Sequence, residues 1–414
     1  VSDLDRREIE RRARAGDSAS ALRWARALER TGRRDEVLTA LLLATGSAEG
    51  RAELGKLWET LSPTPGRFTD VPAIRAPRLR WLTKLDGRDT VERLIAHPLG
   101  IVVSTGRRTI LIDPASGAKR RDLLPSKCPV ILGDVLLLMQ SNLYVATHDL
   151  ATGESLHAAK VRGHGHFARG GNGLFVTGQL SSLHAYRMGK SRGTLEHAWS
   201  VETETNAYEH AEVVAGSLLV PERRRLRAFD TAGTALWATP SSEEDRGDPL
   251  GARVAIEAGD EELVLVASGS ELIETLVALE TRSGRERWRH GPPYPFGVAI
   301  TPDRVFVGLT PNLFDARHGG YAFRALGRAD GRVVATLRAP LVSHVFAREI
   351  AYAHDPDHRP GDSPVAVVAH DLAGRELWRF PGDELPGNAT MLAVSAHGLV
   401  VAGNRFVACL EESA

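Results

Sequence analysis

The stretch Ala278-Leu-Glu-Thr-Arg-Ser-Gly-Arg-Glu-Arg-Trp288 decides the fold, because it recurs. Ala228-Phe-Asp-Thr-Ala-Gly-Thr-Ala-Leu-Trp237 and Ala369-His-Asp-Leu-Ala-Gly-Arg-Glu-Leu-Trp378 are two further clear copies. Weaker ones run Leu111 to Gly117, Thr147 to Gly153, Ala185 to Trp199 and Phe323 to Val334, and a truncated eighth is Phe406 to Glu411. Each is an apolar strand ending in an acidic or polar residue, a Gly-centred turn, and often a Trp. Gly supplies the positive φ that the turn needs, and an Asp or Glu before it can accept hydrogen bonds from turn amides. A period of about 43 residues with four apolar runs per period reads as a β-propeller, one four-stranded antiparallel blade per repeat. In one period the strands fall at His210 to Ala215, Leu218 to Pro221, Leu226 to Asp230 and Ala235 to Thr239. The Trp falls on the outer strand, where a large flat side chain fills the wedge between blades.

The two ends of the repeat region predict closure. The last copy stops after its third strand, while Leu79-Arg-Trp-Leu-Thr-Lys84 is a Trp-bearing outer strand without a blade of its own. Pairing the two removes both exposed edges and gives eight blades. That count includes two copies, at Leu183 and Phe323, that lack the acidic turn residue.

Residues 1–62 differ from the rest: they are charged, and Leu22, Ala25 and Leu28, then Val37, Ala40 and Leu41, form two helical faces separated by Gly32. Asp17 or Ser18 can cap the first helix. Ala21 to Glu36 resembles a degenerate tetratricopeptide (TPR) hairpin. Residues 63–78, with Pro63, Pro65, Pro72 and Pro77, read as a linker, and 79–414 as the propeller. The fold class is therefore mainly β: a small α-helical module, then an eight-bladed propeller closed by an N-terminal outer strand.

Composition narrows the function classes. Of 414 residues 43% are apolar, enough for a sizeable core, and the formal net charge is zero, which gives no global attraction to nucleic acid or an anionic membrane. Nothing at the start of the sequence reads as a basic and then apolar secretory leader, and no window approaches a membrane helix, so the expected location is the cytoplasm. Cys128 and Cys409 lie in different repeats and suit a reducing compartment. The preference for Arg over Lys, with abundant Ala and Gly, fits a GC-rich bacterial coding sequence.

The repeat at Leu279 to Trp288 and His370 to Trp378 resembles that of the PQQ-like, or quinoprotein alcohol-dehydrogenase-like, eight-bladed propellers, over roughly residues 79–411. That resemblance implies architecture more than chemistry, because the family holds both pyrroloquinoline quinone (PQQ) dehydrogenases and non-catalytic binding proteins. The dehydrogenases carry a vicinal cysteine pair and acidic and Asn ligands for calcium; here the two cysteines are solitary.

Two histidine clusters are candidate metal ligands: His164 and His166 in a Gly-rich turn, and His354, Asp357 and His358 in a loop between strands. Both are read first as ordinary solvated loops, since neither has a complete set of donors. The Arg run Pro221 to Arg227 is a local basic feature without the interleaved aromatics of single-strand binders, and is read first as a solvated turn.

Long insertions fall mostly in inter-blade loops (Glu202 to Tyr208, Ser241 to Ala252, His290 to Phe296, Gly382 to Thr390) and second-to-third-strand loops (Pro311 to Gly320, Asp355 to Pro364), which open on one face. They carry Tyr208, Tyr294, Phe296, Phe314 and Arg317, residue types that anchor interfaces. The expectation is a non-enzymatic scaffold or adaptor that binds a protein or peptide through this face, with no cofactor, no membrane partner and no nucleic acid. The competing classes are a PQQ- and calcium-dependent oxidoreductase and a small-molecule or glycan sensor.

Overall fold

A computed structural model describes residues 3–62, 68–86, 90–141, 144–162, 168–171, 173–179, 181–204, 211–222, 225–239, 253–270, 273–291, 295–309, 322–338, 342–354, 367–387, 389–403 and 405–413. Eight antiparallel sheets of four strands succeed one another along the chain, and we number these blades 1 to 8 and their strands A (inner) to D (outer). Blade 5 is representative: Arg253–Gly259, Leu263–Ser270, Ile273–Glu280 and Glu286–His290. In the repeat at His210 to Thr239 the strands are Glu212–Val214, Ser217–Glu222, Arg225–Phe229 and Ala235–Thr239, within two residues of the boundaries expected from pattern, with His210 outside the described residues.

The ring closes as the sequence requires. Pro77–Lys84 pairs with Phe406–Glu412 as the outer strand of blade 8, with Trp81 opposite Cys409 and Lys84 opposite Phe406. Strand pairing begins at Pro77, an outer-edge position at which the missing N–H costs no ladder bond.

The Gly and the Trp of the repeat serve one contact between blades. Gly233, Gly284 and Gly331 in the C–D turns have φ of +84°, +68° and +65°. Against each Cα lies the indole of the preceding blade, so that an added Cβ would stand 2.7 Å from Trp199, 2.4 Å from Trp237 and 2.5 Å from Trp288 respectively. Each indole N–H then donates to a carbonyl of the same turn: Trp199 to Thr231 at 2.9 Å, Trp237 to Thr281 at 2.9 Å, Trp288 to Arg328 at 2.9 Å, and Trp81 to Pro114 at 3.1 Å. Blade 8 has no C–D turn, because its last two strands come from opposite ends of the chain. Trp378 of blade 7 donates instead to Ile74 O at 2.8 Å.

Ile74 belongs to the stretch read as a linker, and the structure weaves that stretch into the ring. Phe68–Thr69 adds in parallel to the inner strand of blade 7, opposite Phe346 and Ala347. Ile74 N donates to the buried Tyr352 hydroxyl at 2.6 Å, and Arg75 N and Ala76 N to the Glu412 carboxylate at 2.6 and 3.2 Å.

Four helices precede it: α1 (Asp3–Arg14), α2 (Ser18–Glu29), α3 (Arg34–Leu43) and α4 (Ala48–Leu61). Asp17 caps α2, accepting from Ala19 N at 3.0 Å and Ser20 N at 3.3 Å, and Ser47 caps α4 through Gly50 N at 3.0 Å. Leu22, Leu28, Leu41, Leu54, Trp58 and Leu61 join one continuous apolar cluster with Leu99, Leu111, Leu136 and Leu399 of the ring. Each such buried side chain contributes about 1.5–3 kcal/mol, so the helices are held by packing rather than by intrinsic propensity.

Candidate protein-interaction faces

In a four-stranded antiparallel blade the A–B and C–D connections emerge on one face, and the B–C and D–A connections on the other. The described A–B turns span two or three residues, such as Pro98 and Leu99 in blade 1 and Arg348 and Glu349 in blade 7. The described strands that flank residues 240–252, 310–321 and 355–366, the longest stretches between strands, all end toward the second face. The ring therefore has a tight-turn face and a long-loop face.

The tight-turn face is covered over blades 7, 8, 1 and 2 by the protein's own helices. Gly55 of α4 meets Gly133, in the A–B turn of blade 2, so closely that an added Cβ would lie 2.7 Å from the Gly133 carbonyl carbon. Glu59 accepts from Gly133 N at 3.3 Å, and burial pushes its carboxyl up. Trp58 packs edge-on to His97 at 6.1 Å between ring centres. Burial without a countercharge depresses the His97 imidazole to about 3, so it stays neutral, accepting from Leu99 N at 3.2 Å. Arg51 lies 3.8 Å from Asp149, whose carboxylate also pairs with Arg192 at 2.6 Å. On the blade 7 side, Arg348 bridges Asp35 of α3 at 2.5 Å and Asp70 at 2.8 Å. The sequence reads as helices that dock on the propeller or on a partner, and they dock on the propeller; Gly55, costly inside a helix unless something approaches closely, is the position that meets the ring.

On the long-loop face, Tyr208, Tyr294, Phe314 and Arg317 lie outside the described residues, and Phe296 is described only as backbone within Pro295–Ile300. Of the histidine clusters, His164, His166, Asp357 and His358 lie outside them too, and His354 is described as the backbone end of Ile350–His354. The Arg run is better defined. Arg225 and Arg227 both pair with the buried Glu222, Arg227 at 3.0 Å, and Arg227 also lies 4.7 Å over the Phe229 ring. Two of its guanidinium groups are thus tied down rather than presented as a free basic patch; Arg223 and Arg224 lie outside the described residues.

Among the described residues no group of three His, Cys, Asp or Glu side chains converges as metal ligands would. Cys128, in the connection between blades 1 and 2, and Cys409, in blade 8, are buried and form no disulfide; desolvation pushes the Cys409 thiol up to about 12, which leaves it unreactive. No helix among the described residues is long and apolar enough to cross a membrane.

The ring, its closure and its Trp–Gly contacts define an eight-bladed β-propeller, part of which is similar to the PQQ-like repeats. Residues 222–356 match the family model PQQ_2, described as outer membrane protein assembly factor BamB. BamB from Moraxella catarrhalis superposes with a TM-score of 0.55 at 15% identity, covering 81% of this chain and 98% of that one. Saccharomyces cerevisiae Sqt1 gives 0.58 at 13% identity, covering 81% and 99%, and the computationally designed Ika8 protein 0.56 at 12%, covering 78% and 96%. At such identities the likeness is one of fold. No curated protein matches the sequence.

Proposed function

We propose that this chain is a non-catalytic scaffold that binds a protein or peptide through the long-loop face of its propeller. The observation that carries the reading is the division of labour between the faces: the helices and the segment after them cover blades 7, 8, 1 and 2 on the tight-turn side, while the longest connections gather opposite. Loops on a rigid ring can vary without disturbing its core, which is how such scaffolds carry recognition. The match to a model named for an assembly factor supports the same class. The TPR-like part of the helical module would be a second contact surface, and the proposal includes a cytoplasmic location, with which two buried cysteines outside any disulfide are compatible.

The test is affinity capture with the intact chain from lysate, beside a Tyr294→Ala/Phe314→Ala variant. The reading expects a reproducible protein partner, lost in the variant at unchanged thermal stability. A partner retained by the variant, or co-purification of a quinone with stoichiometric metal and no protein, would overturn it.

A further inference from the structure

The Trp that bolts one blade to the next is missing at three of the eight seams. Trp199, Trp237, Trp288, Trp378 and Trp81 stand opposite Ala185, Ala228, Ala278, Ala369 and Cys409 on their third strands. In blades 1, 2 and 6 the same place holds Arg121, His157 and Ala335, opposite Leu111, Thr147 and Ala325. What the following blade presents to that seam changes in step. The third-strand residue one after the position opposite the Trp place is apolar wherever a Trp precedes it: Ile112, Phe229, Leu279, Leu326 and Leu410. Where the Trp is absent it is His148, Tyr186 or His370. The correspondence holds at every seam.

Tyr186 spends its hydroxyl on Arg162 N at 2.7 Å. The histidines are not so provided for: both ring nitrogens of His148 and Nδ1 of His370 are buried without a hydrogen-bond partner among the described residues. His148 stands beside Leu136, which packs on Leu111 of blade 1, and His370 beside Ala351, which packs on Ala325 of blade 6, so each faces the seam. We propose that seams 1/2 and 6/7 are acid-labile hinges of the ring, opened by protonation of His148 and His370, and that the helices, which contact His97 of blade 1 and Gly133 of blade 2, clamp the first of them.

The charges around each histidine support this. The Gly153 backbone of its own blade favours protonation of His148 and Arg121 of blade 1 opposes it, while the flanking strands present Leu136 and Ser155. For His370, Glu376 and Asp371 favour the charged form and Arg379 opposes it, and blade 6 presents Phe306, Ala325 and Ala335. Burial holds both imidazoles below their usual range as its largest effect. The closed seam therefore carries neutral rings and the opened one takes up protons. Opening is favoured as pH falls below the ordinary value of about 6.5.

Hydrogen exchange of the full chain at pH 7.5 and 5.5, corrected for intrinsic rates, reads this directly. In peptides spanning Tyr144–Lys160 and Val367–Phe380, protection should fall by up to about tenfold per histidine, while Arg225–Thr239 and Ile273–His290, at Trp-bolted seams, change little. His148→Leu and His370→Leu, made separately, install the residue type found at bolted seams, and each should abolish the acid response of its own seam. Equal acid response at bolted and unbolted seams, or a response that survives the leucine variants, would overturn the proposal.

Discussion

At Gly233 two demands meet in one residue. The turn needs a φ of +84°, and the Trp199 ring occupies the space a Cβ would fill at 2.7 Å. Gly233→Ala should therefore destabilise the protein by about 2 kcal/mol, through backbone strain and overpacking together. Denaturant unfolding checks this; a loss no larger than that of an exposed Gly→Ala change would show that the indole simply moves aside. The first demand was legible in the sequence, since a Gly after an acidic residue and before a Trp spells a turn. The second was not, because the Trp that Gly233 touches lies in the preceding repeat, and pattern does not say which neighbour fills a wedge. Residues of the Arg run were opaque for a similar reason: the charge that neutralises Arg225 and Arg227 is Glu222, which the sequence places at the end of a strand without saying that it is buried.

Among elements, α4 shows how far composition carries and where it stops. The charged, helix-favouring character of residues 1–62 marks the region as helical, but does not show that α4 carries a bare Gly55 pressed on Gly133. Gly55→Leu should lift α4 off the ring, and limited proteolysis should then cut within α4 (Ala48–Leu61) faster than in the parent. A parent-like digestion pattern would mean that the packing shown by Gly55 is not needed for docking. Docking should also weaken in mild acid. His97 is held neutral by burial, at about 3, so its contribution is complete above an unfolded value of about 6.5 and is lost progressively below it. Glu59, pushed up by burial, works in the opposite direction, but only within the carboxylate range, so between about pH 6.5 and 5.5 His97 sets the sign. The segment 63–78 was read as a linker because its prolines forbid helix and central strand. They do forbid both, yet Phe68–Thr69 still adds to the inner edge of blade 7, where an edge position tolerates what a central one does not.

For the whole molecule, closure was the most legible feature, since an orphan outer strand at one end and a three-stranded repeat at the other have one economical solution. Docking of the helices on the propeller or on a partner was expected from the sequence, but which face they occupy was not legible, because it depends on shape matching between elements distant in sequence. That occupation gives the ring its polarity, and the proposed function places recognition on the opposite side. The most direct test is a hydrogen-exchange footprint of the full chain in complex with its captured partner. The account predicts new protection in peptides containing the long connections 240–252, 310–321 and 355–366, with α1 to α4 and the tight turns unchanged. Protection confined to the helices or to the tight-turn face would contradict it.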